Sequence, residues 1–270
     1  MKPYAVGVDL GDTNVVFGLT DLKGKLLRKE KHATQAQQGA QAVIRRVGQG
    51  VLSLLKAAGQ KPADVRTLGI GSPGPLDSVR GIIYSMPNLP GFHDTPMKAL
   101  VQKATGIRAF LENDAKCAAL GEKWAGAGRK SRNMLMLTLG TGVGGAIILD
   151  HKIYGGADNT AGEFGHMVID PSGPACGCGR RGCLETYASA TAVARFVRDA
   201  LKRGKKSLAL KLAGGRPEAI SRAIWWGGSP SSRSAPWRPG WWPPVWPAGR
   251  ATWEAGRVST PSVTAWTPSS

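Results

Sequence analysis

A near-repeat at an offset of 129 residues limits the architectures open to this chain. The segment VDLGDTNVVFGLTD (8–21) is echoed by LTLGTGVGGAIILD (137–150), with Leu10-Gly11 matching Leu139-Gly140, Leu19 matching Ile148 and Asp21 matching Asp150. Each copy reads as strand, Gly-rich turn, strand. A duplicated α/β unit would set two such turns facing each other across a cleft. Backbone N–H groups can approach phosphates there, because glycine carries no Cβ. One Gly-rich turn alone is weak, since hairpins use glycine for turn geometry; two at matched positions leave a nucleotide cleft and plain hairpins as equal readings.

The segments around the first copy extend the pattern. Residues 4–9, 14–20 and a stretch through Leu26 and Leu27 read as three strands. Val43, Ile44, Val47, Val51, Leu54 and Leu55 recur at helical spacing within 40–58, with Gly59 as a stop signal. Strand 65–70, helix 96–105, strand 107–111 and helix 115–125 follow. Three strands and then alternating helix and strand predict an α/β domain with a mixed sheet.

Composition breaks near residue 214. Eight of the nine Trp and nine of the eighteen Pro lie beyond it, with no Leu, Lys, Asp, Phe or Tyr, and no helical or strand period. Two readings compete: an interaction tail, or a shifted reading frame through GC-rich coding sequence, which the Trp/Arg/Pro/Gly/Ala/Ser bias favours. The whole chain carries a formal charge of +18; without the tail's six Arg and two Glu, residues 1–214 retain +14. The basic residues are scattered, as on a solvated surface, rather than interleaved with aromatics. No apolar run approaches the length of a membrane span. The start, with Asp9 interrupting its apolar stretch, is not expected to be a secretory signal.

The strongest local signal for chemistry is Cys176-Gly-Cys178-Gly-Arg-Arg-Gly-Cys183 with His166 ten residues upstream. Three thiolates and one imidazole make a closed Cys3His set that suits structural Zn²⁺ with no open catalytic position. The same crowding argues for a reduced, cytosolic setting over a disulfide scaffold. Glu112-Asn113-Asp114 follows a strand and opens a helix. A carboxylate there could take a proton from a substrate hydroxyl, or the group could be only a helix cap. Asp9, beside the first Gly-rich turn, could hold Mg²⁺ through water or cap the turn. Glu163 and Glu185, which bracket the cysteine loop, read alone as ordinary surface glutamates.

Taken together, Asp9-Leu-Gly11-Asp-Thr13-Asn14, Pro73-Gly74-Pro75-Leu-Asp77, Pro87-Asn88-Leu-Pro90-Gly91, Glu112-Asn113-Asp114, Leu139-Gly140-Thr141-Gly142-Val-Gly144-Gly145, Gly162-Glu163-Phe-Gly165-His166 and the cysteine cluster with Glu185 resemble the ROK family. That family comprises repressors, open reading frames and sugar kinases within the actin-like ATPase superfamily. The resemblance runs in order from about residue 4 to 195. It implies a ribonuclease H-like pair of duplicated α/β lobes with a nucleotide cleft between them: an N-terminal lobe over 1–114 and a C-terminal lobe with the zinc loop over 115–214, the tail being 215–270.

The resemblance also implies roles. Asp9, Gly11, Thr13 and Asn14 would form the first phosphate loop and Gly140, Thr141, Gly142 and Gly144 the second, around ATP and Mg²⁺. Asp114 would be the general base on the sugar 6-hydroxyl. Asn88, Asn113, Glu163, His166 and Glu185 would hold the other hydroxyls, with His166 also binding zinc beside Cys176, Cys178 and Cys183. The expected activity is ATP-dependent phosphorylation of a hexose, glucose first, in the cytoplasm. A homodimer is common among such proteins, and neither membrane nor nucleic acid is expected as a partner. Kinases for N-acetylglucosamine, N-acetylmannosamine, mannose or fructose are alternatives, as is a sugar-responsive regulator lacking its DNA-binding domain, since none is expected ahead of the first strand. Asp12 and Asn14 depart from the frequent Gly and Lys, and the resemblance fades after about Arg203, so an incomplete second lobe and impaired activity are expected.

Overall fold

The computed structural model describes residues 2–86 and 89–220. Strands β1 (Tyr4–Leu10), β2 (Asn14–Asp21), β3 (Leu26–Ala33), β4 (Val65–Ser72) and a strand at Ala109–Asn113 form one five-stranded sheet, interrupted in sequence by helix α1 (Ala40–Ala57) and by a small sheet. That small sheet comprises β5 (Leu76–Asp77), β6 (Ile82–Ser85) and β7 (His93–Thr95); helix α2 (Met97–Thr105) leads on to the fifth strand, β8. The large sheet runs β3-β2-β1-β4-β8, antiparallel among the first three strands and parallel from β1 through β4 to β8, the expected mixed arrangement. The strand expected at 107–111 lies two residues later. The small sheet was not anticipated, because its strands of two to four residues are too short to show a period.

Alternation explains the packing. Val6, Val8 and Leu10 of β1 and Val15, Phe17 and Leu19 of β2 all turn to one face and are buried. Opposite them α1 buries Val43, Ile44, Val47, Val51, Leu54 and Leu55, the predicted stripe. Gly50 sits beneath the Phe17 ring, where a Cβ would overlap it. Each fully buried Val, Leu or Phe contributes about 1.5–3 kcal/mol. The other face of the same strands carries Gly7, Gly18 and Gly69 side by side in register, with open space above Gly7 and Gly69.

Helix α3 (Asp114–Trp124) leads from β8 to the second sheet, β9 (Met134–Leu139), β10 (Val143–Leu149) and β11 (Lys152–Ile153), ordered β11-β10-β9. Ala119 of α3 packs on Ala146 and Ile148. The repeat therefore folds twice as strand, turn, strand, but in different registers. Leu10 faces Val15 in the first copy, whereas Leu139, the counterpart of Leu10, faces Val143, the counterpart of Asn14. A one-residue slip reverses facing. Leu135, Leu137 and Leu139 consequently lie on the side of the sheet away from Ala146 and Ile148, and are 69%, 51% and 52% exposed.

After the cysteine loop come α4 (Glu185–Ala188), α5 (Ala190–Lys202) and α6 (Leu208–Leu212). A 3₁₀ turn at Pro217–Ala219 follows, and Ile220 is buried with Ala194 and Ala213. The expectation for the tail thus lies, from residue 221, outside the described residues. Among the described residues no helix is long and apolar enough to cross a membrane.

Candidate functional site

Asp9 stands near the end of β1, and the turn after it is closed by Gly11 N–H donating to the Asn14 carbonyl at 3.0 Å. Thr34 braces this turn: its hydroxyl donates to Gly11 O at 2.7 Å and its N–H to Thr13 O at 2.9 Å. The second turn is held from the other side of the chain. Gly140 N–H donates to Gly142 O, Ala190 N–H to Gly140 O at 2.9 Å, and the Thr191 hydroxyl to Thr141 O at 2.8 Å. Val143 N–H donates to Glu185 Oε2 at 2.9 Å, and a Cβ on Gly142 would overlap that carboxylate. Glu185 is therefore half-buried and tied to the turn, rather than the surface glutamate read from sequence.

Asp114 opens α3, where the helix-cap reading of Glu112-Asn113-Asp114 holds. Asn113 is the N-cap, its Oδ1 accepting from Ala115 and Lys116 N–H. Asp114 Oδ1 accepts from Ala115 N–H at 2.8 Å. The carboxylate thus takes a fixed direction from the first turn of a helix whose dipole favours its charge. Asp114, Asp9, Thr138 and Lys29 line one open cavity of about 630 Å³ over the glycine stripe of the first sheet. Gly144 lets β10 reach the same point, since a Cβ there would come within 3.0 Å of the Ala115 side chain. Next along β10, Gly145 meets the Gly162 carbonyl and the Phe164 ring, which sets exposed Glu163 and half-buried His166 beside the strand that follows the second turn. Asn88 lies outside the described residues.

Negative charge concentrates at this cavity. The Asp9 carboxyl is held above its ordinary 3.8, first by desolvation against the sheet and then by Asp114, with Lys29 opposing. Burial, with Glu112, Asp114 and Asp9 adding to it, pushes the Cys117 thiol up to about 12, which leaves it unreactive. Two carboxylates lining one cavity suit a divalent cation. Because folded Asp9 holds its proton more tightly than the unfolded chain does, it makes stability fall as pH rises from 3.8 through the raised value. Asp9→Asn is therefore expected to melt at least as high as the parent at pH 7. The parent-minus-variant difference in melting temperature, measured from pH 4 to 8, should grow more negative with pH.

The cysteine cluster forms as expected. One ligand atom from each of His166, Cys176, Cys178 and Cys183 lies within 4.8 Å of the others. Cys178 and Cys183 sulfurs are 3.6 Å apart, and His166 Nδ1 is 3.7 Å from Cys176 Sγ. A tetrahedron with Zn–S arms of about 2.3 Å has edges of about 3.8 Å, so the set fits such an ion. Hydrogen bonds from the Arg180 backbone and guanidinium draw the Cys178 thiol down to about 6, giving a thiolate at neutral pH. The loop is laced by bridges Val168–Cys183 and Ala175–Arg181 and by Tyr187 donating to Asp170 at 2.7 Å. Glu185 Oε1 lies 4.0 Å from Cys176 Sγ, which joins this loop to the second Gly-rich turn.

Sequence reasoning missed the braces: Thr34, Ala190 and Thr191, which fix the two turns, and Lys116 with Asn159. Ser189 caps α5 by accepting from Ala192 N–H, a signal legible from its place before an apolar helical run.

The model of the ROK family matches residues 5–222, past the point where the motif resemblance fades. A glucokinase of Thermotoga maritima is 43% identical over 223 residues, which cover 83% of this chain and 69% of that protein. A glucokinase of Halalkalibacterium halodurans is 37% identical, with coverages of 76% and 62%. The chain thus spans about two thirds of the length of these curated relatives. A crystal structure of a ROK family glucokinase from Streptomyces griseus in complex with glucose and AMPPNP superposes with a TM-score of 0.71 at 32% identity, covering 84% of this chain and 72% of that one.

Proposed function

The chain belongs to the ROK family, and from that premise we propose that it transfers the γ-phosphoryl group of ATP to the 6-hydroxyl of a hexose, glucose in the first place. The observation that carries this reading is the placement of Asp114: a carboxylate fixed at a helix start, in an open cavity with Asp9, and next to the strand that leaves the second Gly-rich turn. The similarity to a glucokinase that binds glucose and AMPPNP supports the choice of substrates.

In this reading Asp114 accepts the proton of the sugar hydroxyl as that oxygen bonds to phosphorus; the bond from phosphorus to the β–γ bridging oxygen breaks, and ADP leaves with the electron pair. The protein contributes position and electrostatics above all. The turns at Gly11–Asn14 and Gly140–Gly144 present backbone N–H groups to the phosphates. Asp9 would hold Mg²⁺ through water, and that cation would neutralise charge developing on the phosphates. Asn88, Asn113, Glu163, His166 and Glu185 are assigned to the remaining sugar hydroxyls. We assign His166, Cys176, Cys178 and Cys183 to structural Zn²⁺, which leaves the other ring nitrogen of His166 for the sugar. The two lobes divide at Asp114, and the setting is cytoplasmic.

The test is ADP release from ATP in a coupled assay across glucose, mannose, fructose, N-acetylglucosamine and N-acetylmannosamine. Glucose is expected to give the highest kcat/KM. Turnover with none of the five would refute the proposal.

A further inference from the structure

Lys116 is 2% exposed, among the largest fully buried side chains of the protein. A buried ammonium is costly unless it is paired, and among the described residues no carboxylate forms an ion pair with it. A methionine would fill the same space without that cost. The ammonium instead donates to two acceptors of one residue, the main-chain oxygen of Asn159 and its Oδ1, the latter at 3.0 Å. Asn159 sits in left-handed backbone at φ 58°, with its Oδ1 turned over Gly155 and its Nδ2 buried without a partner among the described residues. Ala161 N–H donates to Gly155 O at 2.9 Å and closes the loop around it.

The two ends of this contact matter to the site. Lys116 is two residues after Asp114 in the first turn of α3. The loop it grips runs through Gly162, so near Gly145 and Ala146 of β10 that a Cβ there would overlap them, and directly into Glu163. We propose that Lys116 is a positioning residue: acting through Asn159, it fastens the 155–162 loop to the helix turn of the base and so fixes Glu163 relative to Asp114. The role in sugar binding rests on the sugar-kinase reading above; the mechanical tether does not. Such a tether contributes to hexose binding equally in ground and transition states, so its loss shows in the hexose KM and not in kcat.

Lys116→Met keeps the apolar stem and removes the donor. Asn159→Gly keeps the left-handed backbone and the main-chain acceptor and removes Oδ1 together with the orphaned Nδ2. The hexose KM is expected to rise about tenfold or more in Lys116→Met and about threefold in Asn159→Gly, with the ATP KM and kcat within about threefold of the parent. Amide exchange, read by mass spectrometry, should quicken about tenfold over 155–163 in Lys116→Met while α1 keeps its protection. An unchanged hexose KM, a parallel rise in both KM values, or a loss confined to kcat overturns the positioning role, since a merely smaller folded fraction lowers kcat alone. If the parent turns over no hexose, it is the kinase reading that fails, and exchange over 155–163 alone decides the tether. If Lys116→Met does not fold, Asn159→Gly decides both points.

Discussion

Asp114→Asn is expected to lower kcat for hexose phosphorylation by about 10²–10⁴-fold, the usual worth of a positioned base. The argument rests on what the substitution leaves in place. Asparagine keeps an oxygen that can accept from Ala115 N–H as Asp114 Oδ1 does at 2.8 Å, and Asn113 still caps the helix through Ala115 and Lys116 N–H. The start of α3 therefore stands, and glucose affinity by calorimetry should change by less than about tenfold. The amide cannot take the hydroxyl proton, so the loss falls on chemistry. A second effect accompanies it: with one of the two charges that face each other removed, the Asp9 carboxyl relaxes toward its ordinary value. Turnover within threefold of the parent would remove Asp114 from the role of base.

Cys183→Ser is expected to have the other large effect. Cys183 is fully buried, with its sulfur 3.6 Å from that of Cys178, and it takes part in the bridge to Val168. Losing one of four ligands should drop metal content from about one ion per chain to below a tenth, because a structural site holds its loop by coordination. The hexose KM should then rise by well over tenfold, since His166 is one of the four clustered residues and Glu163 opens the same short turn as His166. The damage should reach the nucleotide as well. Glu185 follows the last cysteine by two residues and accepts from Val143 N–H, and Ala190 N–H holds Gly140 O, so the ATP KM should rise about threefold or more. Metal content unchanged in the variant would refute the ligand set. Cys117→Ser, outside the cluster, should leave the metal content as it was.

Much of this site is legible in the sequence, for physical reasons that differ by residue. The cysteine cluster could be read because four ligands within eighteen residues, spaced by glycine, have few ways to fold other than around a common point. The two Gly-rich turns could be read because the repeat is long enough to show itself and each copy keeps strand, turn and strand. What the repeat did not show is register: Leu139 and Leu10 occupy equivalent places in sequence yet face differently, since pairing is set by turn geometry that a string of glycines leaves open. Lys116 was hidden for another reason. Lysine in a helix ordinarily reads as solvent-exposed, and its partner Asn159 is 43 residues away in a loop without period. Glu185 likewise shows its tie to Val143 only when the chain is folded.

The central claim is that this chain moves the γ-phosphoryl group of ATP onto the 6-oxygen of a hexose. The most direct measurement is ³¹P NMR of a reaction holding the protein, ATP, Mg²⁺ and glucose, with proton correlation to identify the esterified carbon. A phosphomonoester signal coupled to the two C6 protons, growing as the γ-phosphate signal declines and absent with Asp114→Asn, is the predicted result. A γ-phosphate signal that decays only to inorganic phosphate, or a phosphomonoester at any other carbon, would contradict the account.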